Sequence, residues 1–203
     1  MAKTKFYVVW VGRQPGIYTT WADASAQVNG FKDAKYKSFT TEAQARLAFE
    51  AGWQQYIGKP TPLSALPPDV ITDSISVDAA CDGSPGNLEY RGVHTETGET
   101  LFHQGPIKNG TNNLGEFLAI VQALRLLKAQ GKTIAIYSDS RNALLWVKNK
   151  YIGSKLPKND QTAEVWCLAD EALAWLKNNV YPNQLLKWNT KEWGEIVADF
   201  GRK

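Results

Sequence analysis

Cysteine and histidine are scarce in this chain, with two of each among 203 residues. Cys81 and Cys167 lie far apart and have no histidine at metal-ligand spacing, which argues against a disulfide framework or a zinc site. Both are expected to be small buried side chains. Long apolar runs are also missing: none approaches the ~20 residues that a membrane span needs. The opening MAKTKF has no signal-peptide core, so a cytoplasmic protein without membrane association is expected. Internal repeats and low-complexity tracts are lacking, and no obligate protein partner is evident.

The net charge of +3 is modest but unevenly spread. Residues 1 to 60 hold 8 Lys/Arg and 4 Asp/Glu, and the remainder holds 15 and 16, giving +4 against −1. A small basic module thus precedes a larger, slightly acidic one. Between them GKPTPLSALPP (58–68) carries four prolines and can continue neither helix nor central strand, so it reads as a linker. The expected domains are 1–56, a linker over 57–70, and 71–203.

In the first module KFYVVWV (5–11) reads as a strand and residues 17–20 as a second, followed by a helix from Trp21 to Val28 capped by Thr20. Tyr36 to Phe39 reads as a third strand and Thr40 to Glu50 as a second helix. Phe6, Val9, Phe39 and Phe49 can supply its core. In the larger part Ile75 to Cys81 reads as a buried strand closed by the turn GSPG (83–86). A hairpin follows over Leu88 to His94 and Thr100 to Gly105. Asn112 to Gln130 is the longest helical pattern, with Leu114, Phe117, Leu118, Val121, Leu124 and Leu127 on its apolar side. A strand (133–138), helices over 140–150 and 160–178, a strand over 184–188 and a helical end over 193–200 complete a mixed sheet with helices on its faces.

Asp78 stands inside the first strand of that part, where a carboxylate is costly unless a cation or donors await it. Alone it can equally face solvent or cap a turn. Glu116 lies near the start of the long helix, where an acid is favoured by the helix dipole whatever its role. Asp139 ends the strand TIAIYS and can be a cap, although ligands bind at the carboxyl ends of strands in α/β sheets. Asp199 alone would be a surface acid. Taken together, four acids able to converge would repel one another without divalent cations. Hard oxygen ligands with no His or Cys select Mg²⁺ or Mn²⁺. Two such ions ~4 Å apart suit in-line hydrolysis of a phosphodiester. The spacing of the acids does not establish that they converge.

SVDAACDGSPG, TNNLGEFLAIVQAL, IAIYSDSRNALLWV and KWNTKEWGEIVADFGRK resemble, in order, the motifs of type 1 ribonucleases H. The last is similar to bacterial members with Glu in place of an active-site-loop His. The segment KFYVVWVGRQPGIYTTWADASAQVNGFKDAKYKSFTTEAQA resembles the hybrid-binding domain often fused ahead of that enzyme. The resemblance implies an α/β fold, a ribonuclease H-like five-stranded mixed sheet with helices on both faces, preceded by a small α+β hybrid-binding domain. It implies an endoribonuclease that hydrolyses the RNA strand of RNA/DNA hybrids with two Mg²⁺ ions, Mn²⁺ serving as a substitute, and leaves 3′-hydroxyl and 5′-phosphate ends.

The same resemblance implies roles for particular residues. Asp78, Glu116, Asp139 and Asp199 would hold the metal, with Glu195 as an auxiliary acid one helical turn before Asp199. Thr111, Asn113, Ser154 and Thr190 would form a phosphate pocket for the DNA strand. Asn112, Glu116 and the backbone near Ala79 to Cys81 would meet RNA 2′-hydroxyls, and Trp146 would stack beneath the DNA backbone. Ala79, Ala80, Ser84, Arg141 and Lys155 depart from the common pattern, and Arg141 and Lys155 can add phosphate contacts. In the first module Trp21 and Tyr36, with Tyr7 beside them and Lys37 as a basic contact, match its nucleic-acid face.

Two rival functions fit the same residues. One is a non-catalytic protein that binds RNA/DNA hybrids or double-stranded RNA, which has no need of four acids facing a phosphate groove. The other is a metal nuclease of similar fold with a DNA target.

Overall fold

A computed structural model describes residues 5–39, 41–53, 56 and 66–201. Residues 57–65 of the expected linker lie outside them. The chain divides into two compact units, the first built on Met1–Lys59 and the second on Pro60–Asp199. Each is described by itself.

The first unit is a three-stranded antiparallel sheet in the order β2-β1-β3, formed by β1 (Phe6–Val11), β2 (Gly16–Tyr18) and β3 (Lys35–Phe39). Helices α1 (Trp21–Val28) and α2 (Glu42–Ala51) complete it. Each helix starts on a threonine: Thr20 accepts from the Asp23 amide and Thr41 from that of Gln44, satisfying a donor the first turn leaves open. Strand alternation divides the core. Val9 packs with Ala24, Val28, Tyr7, Tyr18 and Tyr36. Trp10 instead forms an aromatic group with Phe39 and Tyr56 and donates its indole N–H to the Ala48 carbonyl at 3.0 Å. Phe49, expected in the core, is about one-third exposed (36%), and alanines 45 and 48 are the residues of α2 that are buried.

The second unit is a five-stranded sheet in the order β6-β5-β4-β7-β8. Its strands are β4 (Ser74–Cys81), β5 (Gly86–His94), β6 (Thr100–Gly110), β7 (Ala135–Ser138) and β8 (Leu185–Lys187). Strand β4 is antiparallel to β5 and parallel to β7, which is parallel to β8, so the sheet is mixed. Ile75, Val77 and Ala79 enter the main core together with α3 (Asn112–Ala129), α4 (Arg141–Asn149) and α5 (Ala163–Asn178). Helix α3 is buried on nearly every side, Ala119, Ile120 and Ala123 included, because it lies between the sheet and two other helices. The expected helix over 160–178 begins as a 3-10 turn, Asp160–Thr162, capped by Asn159.

The opposite face of the sheet carries Val93, Tyr137 and the fully buried Trp188, packed with Ile196, Val197 and Ala198. Full burial of one such large side chain contributes about 1.5–3 kcal/mol. Here the expected helix over 193–200 gives way to a different structure. The helical turn, α6, is Thr190–Trp193, and Gly194 stops it with φ 76°. Residues 195–199 then run as an irregular buried segment. Three consecutive buried residues, 196 to 198, cannot all face inward on a surface helix. Burial of both cysteines also fails: Cys167 is exposed on α5, near Glu171, and Cys81 is half-buried. Among the described residues no helix is long and apolar enough to cross a membrane.

Candidate nuclease site

The register Val77↔Ser138 between parallel β4 and β7 brings the next residues, Asp78 and Asp139, to the same level on neighbouring strands. Asp78 is completely buried and Glu116, in the second turn of α3, nearly so. Carboxylate oxygens of Asp78, Glu116 and Asp139 all lie within 4.8 Å of one another. The local reasons are plain. Thr111 caps α3 by accepting from the Leu114 amide, and Gly115 lets the helix approach Ala79 and Leu88 closely. Ser140 caps α4 and thereby ends the turn that carries Asp139. Asn112 donates to Glu116 Oε1 across a long 3.5 Å.

Two buried carboxylates beside a third are expensive in charge repulsion and lost hydration. Oxygen donors alone, with no His or Cys, fit a hard divalent cation such as Mg²⁺ or Mn²⁺. Asp199 and Glu195 are outside this group of three. They sit half-buried on the irregular segment beyond α6 rather than one turn apart on a helix. The backbone of that segment is held by Arg91, whose guanidinium donates to the carbonyls of Ala198 and Asp199. Sequence reasoning gave Arg91 no role, since within a hairpin strand nothing distinguishes it from a solvent-facing arginine.

At the start of α3, the helix that carries Glu116, lies a cavity of about 500 Å³ lined by Thr111, Asn113, Asn142, Trp146, Ser154 and Lys155, among others. Three of the four residues expected in a phosphate pocket therefore share one cavity. Thr190, at the start of α6, is not among its lining residues, and neither is the exposed Arg141, although its neighbour Asn142 is. Trp146 is half-buried against the core, 6.3 Å from the ring of Phe117. Ser84 and Pro85 also line the cavity. The turn that carries them closes through Asp82, which accepts from the backbone and side-chain amides of Asn87.

In the first unit Trp21 packs between Tyr7 and Tyr36, with ring centroids 5.4 and 5.6 Å away. Trp21 nevertheless remains 44% exposed, so the trio presents an aromatic surface. Lys37 does not join it. The register pairs Val9 with Tyr36 and Val8 with Lys37, which puts Lys37 on the opposite sheet face, where it donates to the Tyr56 carbonyl at 3.3 Å.

Residues 5–49 match the family model described as the ribonuclease H1 N-terminal domain. A ribonuclease H from Crithidia fasciculata is 61% identical over 44 residues, covering 22% of this chain and 9% of that protein. One from Neorickettsia sennetsu is 32% identical over 89 residues, covering 39% of this chain and 59% of its own length. The chain thus spans less than two thirds of each of these curated relatives. A crystal structure of ribonuclease H1 from the halophilic archaeon Halobacterium salinarum is 20% identical, covers 59% of this chain and 89% of its own, and has a TM-score of 0.36. The RNase H family model matches residues 73–188, more than half of the 203 residues and the whole span from the first strand of the second unit to Trp188, and on that match the chain belongs to the ribonuclease H family.

Proposed function

We propose that the protein is an endoribonuclease that hydrolyses the RNA strand of RNA/DNA hybrids in the cytoplasm, leaving 3′-hydroxyl and 5′-phosphate ends. The observation that carries this reading is the convergence of Asp78, Glu116 and Asp139 within 4.8 Å in a chain of this family. Asp78, Glu116, Asp139 and Asp199 would hold two divalent ions, with Mg²⁺ the expected metal and Mn²⁺ a substitute. When bound, such ions activate the attacking water and stabilise the departing 3′ oxygen.

The chain's own residues do the rest. Thr111, Asn113 and Ser154 offer hydroxyl and amide donors to a phosphate of the DNA strand, and Lys155 at the cavity wall adds charge. Trp146 gives that strand an apolar floor. Asn112, which donates to Glu116, would read a 2′-hydroxyl, the group that separates RNA from DNA. Glu195 is the auxiliary acid. In the first unit the exposed Trp21 and its tyrosines hold the hybrid by stacking and raise its local concentration at the second unit. Arg141 would contribute charge at the margin of the cavity, and Thr190 would add a phosphate contact from its helical turn.

The test is cleavage of an end-labelled hybrid in Mg²⁺ beside duplex DNA and duplex RNA. The expected result is cutting of hybrid RNA alone, stopped by chelator and reduced by about 10³-fold or more in Asp139→Asn, as loss of several kcal/mol of charge stabilisation requires. Tight hybrid binding without cutting in Mg²⁺ or Mn²⁺ would leave a pure binding protein as the better account.

A further inference from the structure

Asp199 lies in no regular element, and unlike Asp139 it is not held between a strand and a capped helix. Gly194 ends α6, and the Asp199 N–H donates to the Ile196 carbonyl at 2.8 Å in a single turn. The buried Ile196, Val197 and Ala198 anchor the stretch to the sheet. Hydrophobic burial is non-directional, however, and does not by itself aim a carboxylate.

Arg91 supplies direction. It is half-buried on β5, directly across the antiparallel register from Asp78. Opposed residues of a strand pair share a face of the sheet, so the side chain starts beside the most buried acid of the site. Its Nε donates to the Ala198 carbonyl at 2.8 Å and its Nη2 to the Asp199 carbonyl at 2.6 Å. Those carbonyls belong to the two peptide planes on either side of the Asp199 Cα. Holding both planes with one rigid fork fixes φ and ψ of Asp199, and with them the direction of its Cα–Cβ bond. A guanidinium can do this because its donors are coplanar and at set spacing, whereas an ammonium is a point donor.

We infer that Arg91 is a positioning residue that orients Asp199 toward the cluster of Asp78, Glu116 and Asp139. The inference rests on the reading of Asp199 as the fourth metal-holding acid. Arg91 belongs to none of the sequence motifs, and Asp199 to no helix.

The experiment is a double-substitution cycle on the full chain, using Arg91→Met, Arg91→Lys, Asp199→Asn and the pair Arg91→Met/Asp199→Asn. Mn²⁺ alone is titrated by calorimetry, with melting temperature and hybrid-cleavage kcat and KM measured in parallel. Arg91→Met is expected to weaken Mn²⁺ binding and lower kcat by about 10- to 100-fold, the range for partners that orient metal ligands. KM for the hybrid should stay within about twofold, since uniform substrate binding is untouched. Arg91→Lys should recover part of the loss, and the pair should bind Mn²⁺ no more weakly than Asp199→Asn alone. If Arg91→Met does not fold, Arg91→Lys carries the same cycle. Wild-type Mn²⁺ affinity in both Arg91 variants, or losses that add to that of Asp199→Asn, overturns the inference and leaves the proposed activity standing. Wild-type protein that binds Mn²⁺ yet cuts no hybrid sinks the proposed activity and leaves the cycle readable. Wild-type protein that binds no Mn²⁺ refutes both.

Discussion

Replacing Gly115 by alanine sets two local effects against each other, and the structure says which should win. The residue precedes Glu116 in α3, and a methyl group there would collide with Leu88 Cδ1 and sit 2.8 Å from Ala79 Cβ. Leu88 Cδ1 is the end of a side chain and can turn aside. Ala79 Cβ is bonded to the backbone of β4 and cannot. Carbon atoms in good contact stand about 3.5–4.0 Å apart, so α3 must retreat from β4 by roughly 0.7 Å or more. Alanine gains about 1 kcal/mol in helix propensity over glycine, while overpacking a dense core costs about 1–3 kcal/mol. The net expectation is a loss of about 0–2 kcal/mol, or roughly 2–4 °C in melting temperature per kcal/mol for a protein of this size. Glu116 moves with its helix, and a misplacement on the order of 1 Å costs about 10²-fold in rate. Thermal denaturation followed by circular dichroism, with hybrid cleavage measured at 25 °C, reads both. A variant that melts above wild type would show the propensity gain unopposed and refute the packing argument. A less stable variant with full kcat would show that Glu116 is not aimed by the position of α3.

Burial raises the pKa of the Cys81 thiol, so at any pH below that value its reactive thiolate is scarcer than in an ordinary cysteine. Iodoacetamide at pH 8 should therefore modify the exposed Cys167 first and Cys81 only slowly, as peptide mass mapping over time will show; equal rates would contradict the burial. Trp21→Ala should weaken hybrid binding by about 1–3 kcal/mol, the value of one aromatic stacking platform, with little change in melting temperature because the ring is partly exposed; gel-shift titration checks the first and calorimetry the second. Tyr137→Phe removes the hydroxyl that accepts from the Ile71 amide at 3.2 Å and should cost about 0.5–1.5 kcal/mol, read from urea denaturation; an unchanged midpoint would mean that water replaces the bond.

Much of this architecture is legible in the sequence because local signals agree with one another. Thr20, Thr111 and Ser140 stand where helices begin, and each caps one. Asp78 and Asp139 could be named as chemistry-bearing because each interrupts or ends an apolar strand. Their closeness depends on the parallel pairing of β4 with β7, which spacing along the chain does not encode. The C-terminal segment departs from its local sequence signals for a physical reason. Trp193 to Phe200 has adequate helix formers, but tertiary burial of Ile196, Val197 and Ala198 against Trp188 and Tyr137 overrides that propensity. Lys37 is a different case, since period-two alternation already separates it from Tyr36, putting the two on opposite faces of the sheet. The cavity joins Thr111 and Asn113 with Ser154 and Lys155 from separate parts of the chain, a juxtaposition available beforehand only through resemblance to a family.

Strand β4 does two jobs with one backbone. Ile75, Val77 and Ala79 belong to the main core, while Ser74 and Ser76 bond to Thr95 and the next residue on that side is Asp78. Sequence change along this strand is therefore constrained with a period of two. At one set of positions volume is what matters, and a volume-matched apolar exchange should pass; at the other, polarity matters, and even an isosteric apolar replacement should fail. A saturation library across the strand would sort into two interleaved tolerance profiles, one governed by shape and the other by hydrogen bonding and charge.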